Sequence, residues 1–436
     1  MKKIKYLLGL FTVLLTATLL VACGGSGKTI KIGNTASKTG AFNAIGLPFG
    51  EAIQAVVKYY NDGKFEGGKV QGFNLEYIWY DDKSDATEGQ AKTLQLIEDD
   101  KIVSFVGHFG TWTIEPTVDV LRQRKVPMVH AATGTNALLT KSRGKEVGNY
   151  VMPIQPIYYT EGQALLTRAV TMEIYGAQKN QKLAADKSKN IVVAYSNRAD
   201  GRSIKEGIDA LVEELNLTTK YNIHFVEFSE QNAKANAQVI QGHSPHAIII
   251  ASNQVFFQAL TNELNILKVS APIFTSYVNA DASHIKPDNV NNLGDLYFNG
   301  WYDMSGSEEN KAELALWRKI VDHMWPNDKA KADSIYGSTH SKSGLVAITT
   351  FIEGLRRLDK KGYKIDLSKV QDFRDELVKA LEQAPINLPL AGTVDFSGGQ
   401  RVGTQDFMLW VYNKKDKKLE VAEGLANAGQ LINSIR

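Results

Sequence analysis

From Thr29 onward, short β-rich runs alternate with longer helical patterns, and after Tyr150-Val151-Met152-Pro153 the alternation starts again. Thr29–Asn34, Asn74–Tyr80, Ile102–Gly107 and Pro127–Ala131 read as strands, with helices over Glu51–Tyr60, Ala86–Glu98 and Ile114–Arg124 between them. In the second set the strands are Asn190–Tyr195, Ile223–Phe228, Ala247–Ala251 and Ile273–Ser276. Its helices are Thr160–Tyr175, Ser203–Leu215 and Gln254–Leu264. A helix between two strands is the crossover that parallel pairing needs, so the rhythm predicts an α/β fold with two parallel, helix-covered sheets. The last third departs from it. Glu308–Met324, Ser343–Leu358 and Ser368–Glu382 read as helices, and strands return at Gly392–Phe396, Gln405–Val411 and Lys417–Val421. A helical block placed after two sheets must pack back onto one of them, so the chain crosses between lobes more than once.

The N-terminus carries an independent pattern. Met1-Lys2-Lys3-Ile4-Lys5 is basic, Tyr6 to Val21 is uncharged and mostly apolar, and Leu20-Val21-Ala22-Cys23 runs into Gly24-Gly25-Ser26-Gly27. A basic start, an apolar stretch and small residues at a cut site describe a secretory signal, and the stretch is wrongly flanked for a membrane span. Residues 1–22 are therefore read as a signal peptide and 23–29 as a tether. Cys23 is the only cysteine, so no disulfide forms within the chain. A thiol at this junction can take a thioether-linked lipid; a buried thiol or a disulfide to another chain are the alternatives. A Gly/Ser tether offers nothing to be buried in. Lys2, Lys3 and Lys5 account for the formal charge of +3. The chain from Cys23 on is neutral and lacks the basic stripe of a nucleic-acid binder.

No catalytic motif is present: there is no Gly-x-Ser-x-Gly elbow and no His-Glu-x-x-His. Gly24–Thr29 ends like a phosphate loop, but Ala22 stands where its first glycine belongs and no strand precedes it. His243 and His246 have ligand-like spacing, yet Ser244-Pro245 separates them, and an exposed turn is the plainer reading. No metal and no cofactor are expected. The informative segments leave the C-terminal ends of strands, where open α/β sheets bind ligands and helix N-termini present free N–H groups. Gly107-His108-Phe109-Gly110-Thr111-Trp112-Thr113 and Ala131-Ala132-Thr133-Gly134-Thr135 are two such loops, combining glycines, hydroxyls and aromatics; a plain turn with a capping Thr is their alternative. In the second half Tyr158-Tyr159, Asp200-Gly201, Ser252-Asn253 and Tyr277-Val278-Asn279 hold corresponding places. The tyrosines read equally as core, and Asp200 equally as an N-cap. Two such rims facing each other make a cleft for a small ligand.

Several runs stand in one order: the Leu20–Cys23 lipobox, Ile30-Lys31-Ile32-Gly33, Ser37-Lys38-Thr39-Gly40-Ala41, Tyr80-Asp81-Asp82, Val106-Gly107-His108, Val126-Pro127, Ala131-Ala132-Thr133 and Gly392-Thr393-Val394-Asp395-Phe396. With the strand from Gln405, they resemble the type I periplasmic binding proteins, in particular the leucine/isoleucine/valine-binding group of ABC importers. The resemblance implies two Rossmann-like lobes joined by a three-stranded hinge, crossing near Met152–Gln155, Gly300–Met304 and Leu390–Thr393. Lobe 1 is then 30–153 plus 305–391, and lobe 2 is 154–304 plus 392–436. It also implies that Gly110, Thr111, Ala131, Ala132 and Thr133 hold a ligand carboxylate, and that Tyr159, Asp200, Asn253, Tyr277 and Asn279 close over it.

Two departures bear on the ligand. Ser84 and Gly110 stand near where some members carry a cystine, and Val278 stands where an acid commonly pairs with an α-ammonium. Asp200 could replace that acid, or the ligand could lack an ammonium. The implied function is a monomeric, non-enzymatic solute receptor. It is exported, anchored through Cys23 at the outer face of the cell membrane, and hands an amino acid or related carboxylate or amide to an ABC permease. A ligand sensor acting through a signalling partner is the alternative.

Overall fold

The strand–helix alternation of the sequence forms two separate sheets, as seen in a computed structural model that describes residues 28–139, 148–308, 310–388 and 390–435. The signal peptide, Cys23 and most of the tether lie outside the described residues. In the first half run β1 (Thr29–Thr35), α1 (Asn43–Asn61), β2 (Asn74–Tyr80), α2 (Ala86–Glu98), β3 (Ser104–Phe109), α3 (Thr111–Gln123), β4 (Met128–Ala132) and β5 (Val151–Met152). The second half contains α4 (Tyr158–Thr171), β6 (Asn190–Ser196), α5 (Ala199–Glu214), β7 (Asn222–Phe228), α6 (Ala233–Gly242), β8 (Ala247–Ala251), α7 (Gln254–Ile266), β9 (Ile273–Thr275) and β10 (Leu296–Gly300). The last third adds α8 (Lys311–Met324), α9 (Lys329–Gly337), α10 (Thr339–Lys360), α11 (Val370–Leu381), β11 (Ile386–Leu388), β12 (Gly392–Val394), β13 (Asp406–Asn413), β14 (Lys418–Asn427) and α12 (Ala428–Asn433).

The first sheet has the order β2-β1-β3-β4-β5 and is parallel throughout. All residues of β3 are buried, as expected of a strand covered on both faces. The second sheet has the order β14-β13-β10-β9-β8-β6-β7, with β13 and β14 added antiparallel at one edge. The helical block returns to the first sheet: α10 packs between α1 and the strands β3 and β4, α11 flanks it, and α8 packs on α1. Residues after β12 join the second sheet instead. The connecting segments bond to one another, with Gly403 and Thr404 amides donating to the Pro153 and Ile154 carbonyls and Asp303 to Leu390.

Several elements differ from the sequence reading. Helix α1 begins at Asn43 rather than Glu51, running through Pro48. Pro48 removes one intrahelical bond and leaves the Ala44 carbonyl for another donor. Helices α6 and α9 and strand β10 lie where no element was expected. The polar Ala233–Gly242 segment is amphipathic only through Ala237 and Ile240, and β10 is a five-residue, wholly buried run. Without alternation, so short a run carries little periodic signal.

Candidate functional site

The C-terminal ends of the central strands of both sheets meet at one cleft, a cavity of about 130 Å³. The first sheet's side supplies an aromatic wall. Phe42, Ile45 and Phe49 come from the start of α1, and Phe109, Gly110, Thr111 and Trp112 from the β3–α3 turn. Phe42 stacks on Trp112 at 4.5 Å, and Phe109 meets both Trp112 and Phe49 within 5.6 Å. Trp112 also donates through Nε1 to buried Asp82 (3.3 Å), whose carboxylate accepts from Ser37 at 2.6 Å as well. The ring is thus fixed from both ends. Gly110 is the N-cap of α3 at φ 87°, a left-handed conformation that glycine adopts without strain. Thr111 follows as the first helical residue, its hydroxyl 2.7 Å from that of Thr133.

The opposite wall is more polar. Asp200 lies in the first turn of α5 and Asn253 caps α7 by accepting from the Phe256 amide at 3.4 Å. Asp200 is buried, and its Oδ2 has no hydrogen-bond partner among the described residues. Burial pushes its carboxyl above the usual range, against the opposing pull of Arg198 and Asn253. Among the described residues it is the only acid lining the cleft. Tyr158 and Tyr277 stack at 5.8 Å, and Tyr277 donates to the Pro156 carbonyl (2.8 Å) while accepting from Gln155 (3.1 Å). Behind them Glu161 accepts from the Tyr277 amide and the Ser276 hydroxyl, each at 2.8 Å. Burial raises Glu161 to about 7. Fully buried Arg168 bonds Asn299, and its Nε pairs with Glu423 at 3.0 Å, so the turn carrying Tyr277 rests on a buried polar network.

Of the residues expected from sequence, Gly110, Thr111, Ala132, Asp200, Asn253 and Tyr277 line this cleft. Thr133 stands one hydrogen bond behind Thr111, and Ala131 is wholly buried in β4. Asn279 is buried too, donating to the Ser252 carbonyl and the Thr275 hydroxyl. Tyr159 lines a different groove, with Leu139, Pro156 and Gln400. Consecutive helical residues point about 100° apart, so only one of the Tyr158-Tyr159 pair can face the cleft, and it is Tyr158.

Helix α5 is capped by Arg198, not Asp200. His243 stacks on His224 at 3.9 Å, while His246 accepts from the Asn190 amide, so these two histidines do not converge. The sequence reading missed Phe42, Ile45, Phe49, Gln155, Arg198, Trp301, Tyr302, His340 and Ser343. Phe42 to Phe49 precede the expected helix start, and His340 and Ser343 come from the distant α10. Trp301-Tyr302 directly after β10 carried a readable signal: two aromatics at an expected crossover.

The family described as "Periplasmic binding protein" matches residues 29–417. No curated protein matches the sequence. Among solved structures, a fatty acid ABC transporter substrate-binding protein from Thermomonospora curvata is 13% identical with a TM-score of 0.73, covering 93% of this chain and 94% of that one. A branched chain amino acid ABC transporter from Thermus thermophilus with bound valine is 13% identical with a TM-score of 0.73, covering 94% and 99%. An ABC transporter solute binding protein from R. palustris in complex with 4-hydroxybenzoate is 16% identical with a TM-score of 0.69, covering 92% and 97%. At such identities these structures establish the fold alone.

Proposed function

This chain belongs to the periplasmic binding protein family, a family of solute receptors and not of enzymes, and from that premise we propose that it captures an amino acid for an ABC importer. The lobes, taken as 30–153 with 305–391 and 154–304 with 392–436, close on the ligand, and closure presents the surface that a permease reads. A residue at the start of α3 meets the ligand carboxylate, where Thr111 offers a hydroxyl and a helix N-terminus offers amides. The aromatic wall takes an apolar or aromatic side chain. Cys23 carries the lipid that holds the receptor at the outer membrane face; several acyl chains are needed for lasting anchorage.

One observation carries the amino-acid reading: Asp200 is buried in the cleft with Oδ2 unpartnered. A buried carboxylate oxygen without a donor is costly, and an ammonium supplies both donor and charge. The likeness to a valine complex fits this reading, and the likeness to a 4-hydroxybenzoate complex fits an aromatic acid without the ammonium. Denaturing the purified protein and identifying any released small molecule by mass spectrometry, with calorimetry on amino acids and their deaminated analogues, decides between them. Binding of the deaminated acids alone would overturn the amino-acid assignment. Retention of a Cys23→Ala variant in the membrane fraction would overturn the anchor.

A further inference from the structure

A second cluster of polar side chains lies beside the cleft and shares His340 with its lining. Asp281 and His284 follow β9 on the second sheet's side, and His340 stands in the first turn of α10 on the other side. One donor atom from each lies within 4.8 Å of the other two. The imidazoles are stacked, ring centres 5.6 Å apart. His284 Nδ1 and His340 Nε2 are buried with no hydrogen-bond partner among the described residues. We propose that Asp281, His284 and His340 form a binding site for a divalent transition metal, Zn²⁺ in the first instance, assembled only when the lobes close.

The donor set suits the ion. Two neutral imidazoles and one carboxylate are a common three-ligand set for zinc, leaving a fourth position for water. His284 is oriented by its bond to the Ala44 carbonyl, the one that Pro48 leaves without an intrahelical partner. An outer hydrogen bond of this kind fixes a ligating ring. Asp281 is the one acid of the cluster. Its Oδ2 accepts from the Thr339 amide (3.1 Å), the Thr339 hydroxyl (3.0 Å) and the Ser338 hydroxyl (3.3 Å). Its Oδ1 accepts from Ser283. Hydroxyls can turn to accept from water, so the carboxylate can exchange one of these bonds for a cation.

A route in also exists. An open groove of about 600 Å³, lined by Asp281, Ser283, His284, Ser334 and Ser338, reaches the cluster from outside the ligand cleft. Opening the lobes withdraws His340 from the other two ligands, so metal binding and closure favour each other. That coupling rests on the two-lobe reading above; metal binding itself does not.

The test is a Zn²⁺ titration of the purified chain, stripped with chelator and free of organic ligand, by calorimetry. Wild type and His243→Ala should bind one equivalent with equal affinity, and His284→Ala and His340→Ala should each weaken it at least about tenfold. X-ray absorption of the zinc-loaded wild type should show two imidazole nitrogens at about 2.0–2.1 Å, a readout independent of how the variants fold. Wild-type protein that binds no zinc, variants that bind it as wild type does, or a spectrum without imidazole ligation would overturn the site. Small-angle scattering reads the coupling: zinc alone should contract wild type and not His340→Ala. Zinc bound with no contraction would overturn the coupling and leave the organic-ligand reading intact.

Discussion

Gly134 offers the sharpest test of closure as the binding mechanism. It lies in the loop after β4, and its carbonyl accepts from the Tyr158 amide at 2.7 Å across the cleft. A Cβ there would lie 2.3 Å from Tyr277 Oη, 2.8 Å from Tyr158 Cδ1 and 2.9 Å from Tyr158 N. Real Cβ contacts do not reach such distances, so Gly134→Ala must displace Tyr277, lengthen the Tyr158 bond, or keep the lobes apart. Tyr277 has little room, being held by Pro156 and Gln155. Overpacking of this kind costs about 1–3 kcal/mol. With both tyrosines in the proposed lobe 2, the cost falls on the closed state alone. Affinity for a cleft ligand then drops about fivefold to 150-fold, while the ligand-free protein melts as wild type does. Calorimetry with the identified ligand measures the first and a thermal scan the second. Gly242→Ala, where a Cβ meets nothing within 4 Å, is the control. Wild-type affinity in a folded Gly134→Ala protein would refute the argument, and so would a large fall in ligand-free melting temperature, because the contact would then exist in both states.

Asp200→Asn should weaken binding of an amino acid about thirtyfold or more, the cost of removing one partner of a buried charge pair, and leave the deaminated acid unaffected; equal losses for both in calorimetry would remove Asp200 from ammonium recognition. Asp281→Ala removes the cross-lobe acceptor of the Thr339 amide. At about 0.5–2 kcal/mol for a lost cap, metal-free affinity for the cleft ligand should fall about twofold to thirtyfold, and unchanged affinity would show that the cap persists in the open form. Glu161 bears on pH. Burial raises its native pKa from 4.5 to about 7, so the native state holds the extra proton between those values. Stability contributed by this group therefore falls as pH rises from about 4.5 to 7 and is level above. Glu161→Gln should abolish this slope and gain on wild type by up to about 3 kcal/mol between pH 5 and pH 8. Parallel urea-unfolding results for the two proteins at both pH values would show that Glu161 does not titrate there.

The parallel core of both sheets was legible because most of its strands announced themselves by apolar content and most crossovers by helical period, with β10 and α6 the exceptions. Asn74–Tyr80, Ala86–Glu98 and Ala247–Ala251 fall where the pattern places them. The rim loops were legible for a topological reason: residues that leave the C-terminal ends of central strands converge whatever their side chains. This brought Thr111, Asp200, Asn253 and Tyr277 to one cleft. What stayed hidden depends on rotation and on distance along the chain. Whether Tyr158 or Tyr159 faces inward depends on where α4 starts, within one residue. Phe42, Ile45 and Phe49 were hidden by Pro48, which reads as a helix breaker and is tolerated because His284 takes up the freed carbonyl. The Asp281-x-x-His284 spacing was visible, but its third member, His340, reaches it only through the packing of α10.

The polar contacts that join the proposed lobes include Tyr158 to the Gly134 carbonyl, Tyr159 and Glu206 to the Asn136 side chain, Thr339 to Asp281, Tyr302 to the Thr339 carbonyl, and His284 to the Ala44 carbonyl. Each of these groups finds water when the lobes part, so each bond contributes only about 1 kcal/mol net. The apolar wall of Phe42, Phe49, Phe109 and Trp112 belongs to lobe 1 alone and is already stacked upon itself. The groups across the cleft include the rings of Tyr158 and Tyr277 together with Arg198, Asp200 and Asn253, and Asp200 Oδ2 is unsatisfied among the described residues. A ligand that touched only the aromatic wall would bind open and closed forms alike and shift nothing, however tightly it bound. A ligand with a polar end that reaches Asp200 distinguishes the two forms, so that end acts on closure as well as on affinity. Extending the apolar side chain of a bound ligand should therefore change its affinity with little effect on the scattering contraction it produces, whereas removing its polar group should abolish the contraction even at saturation.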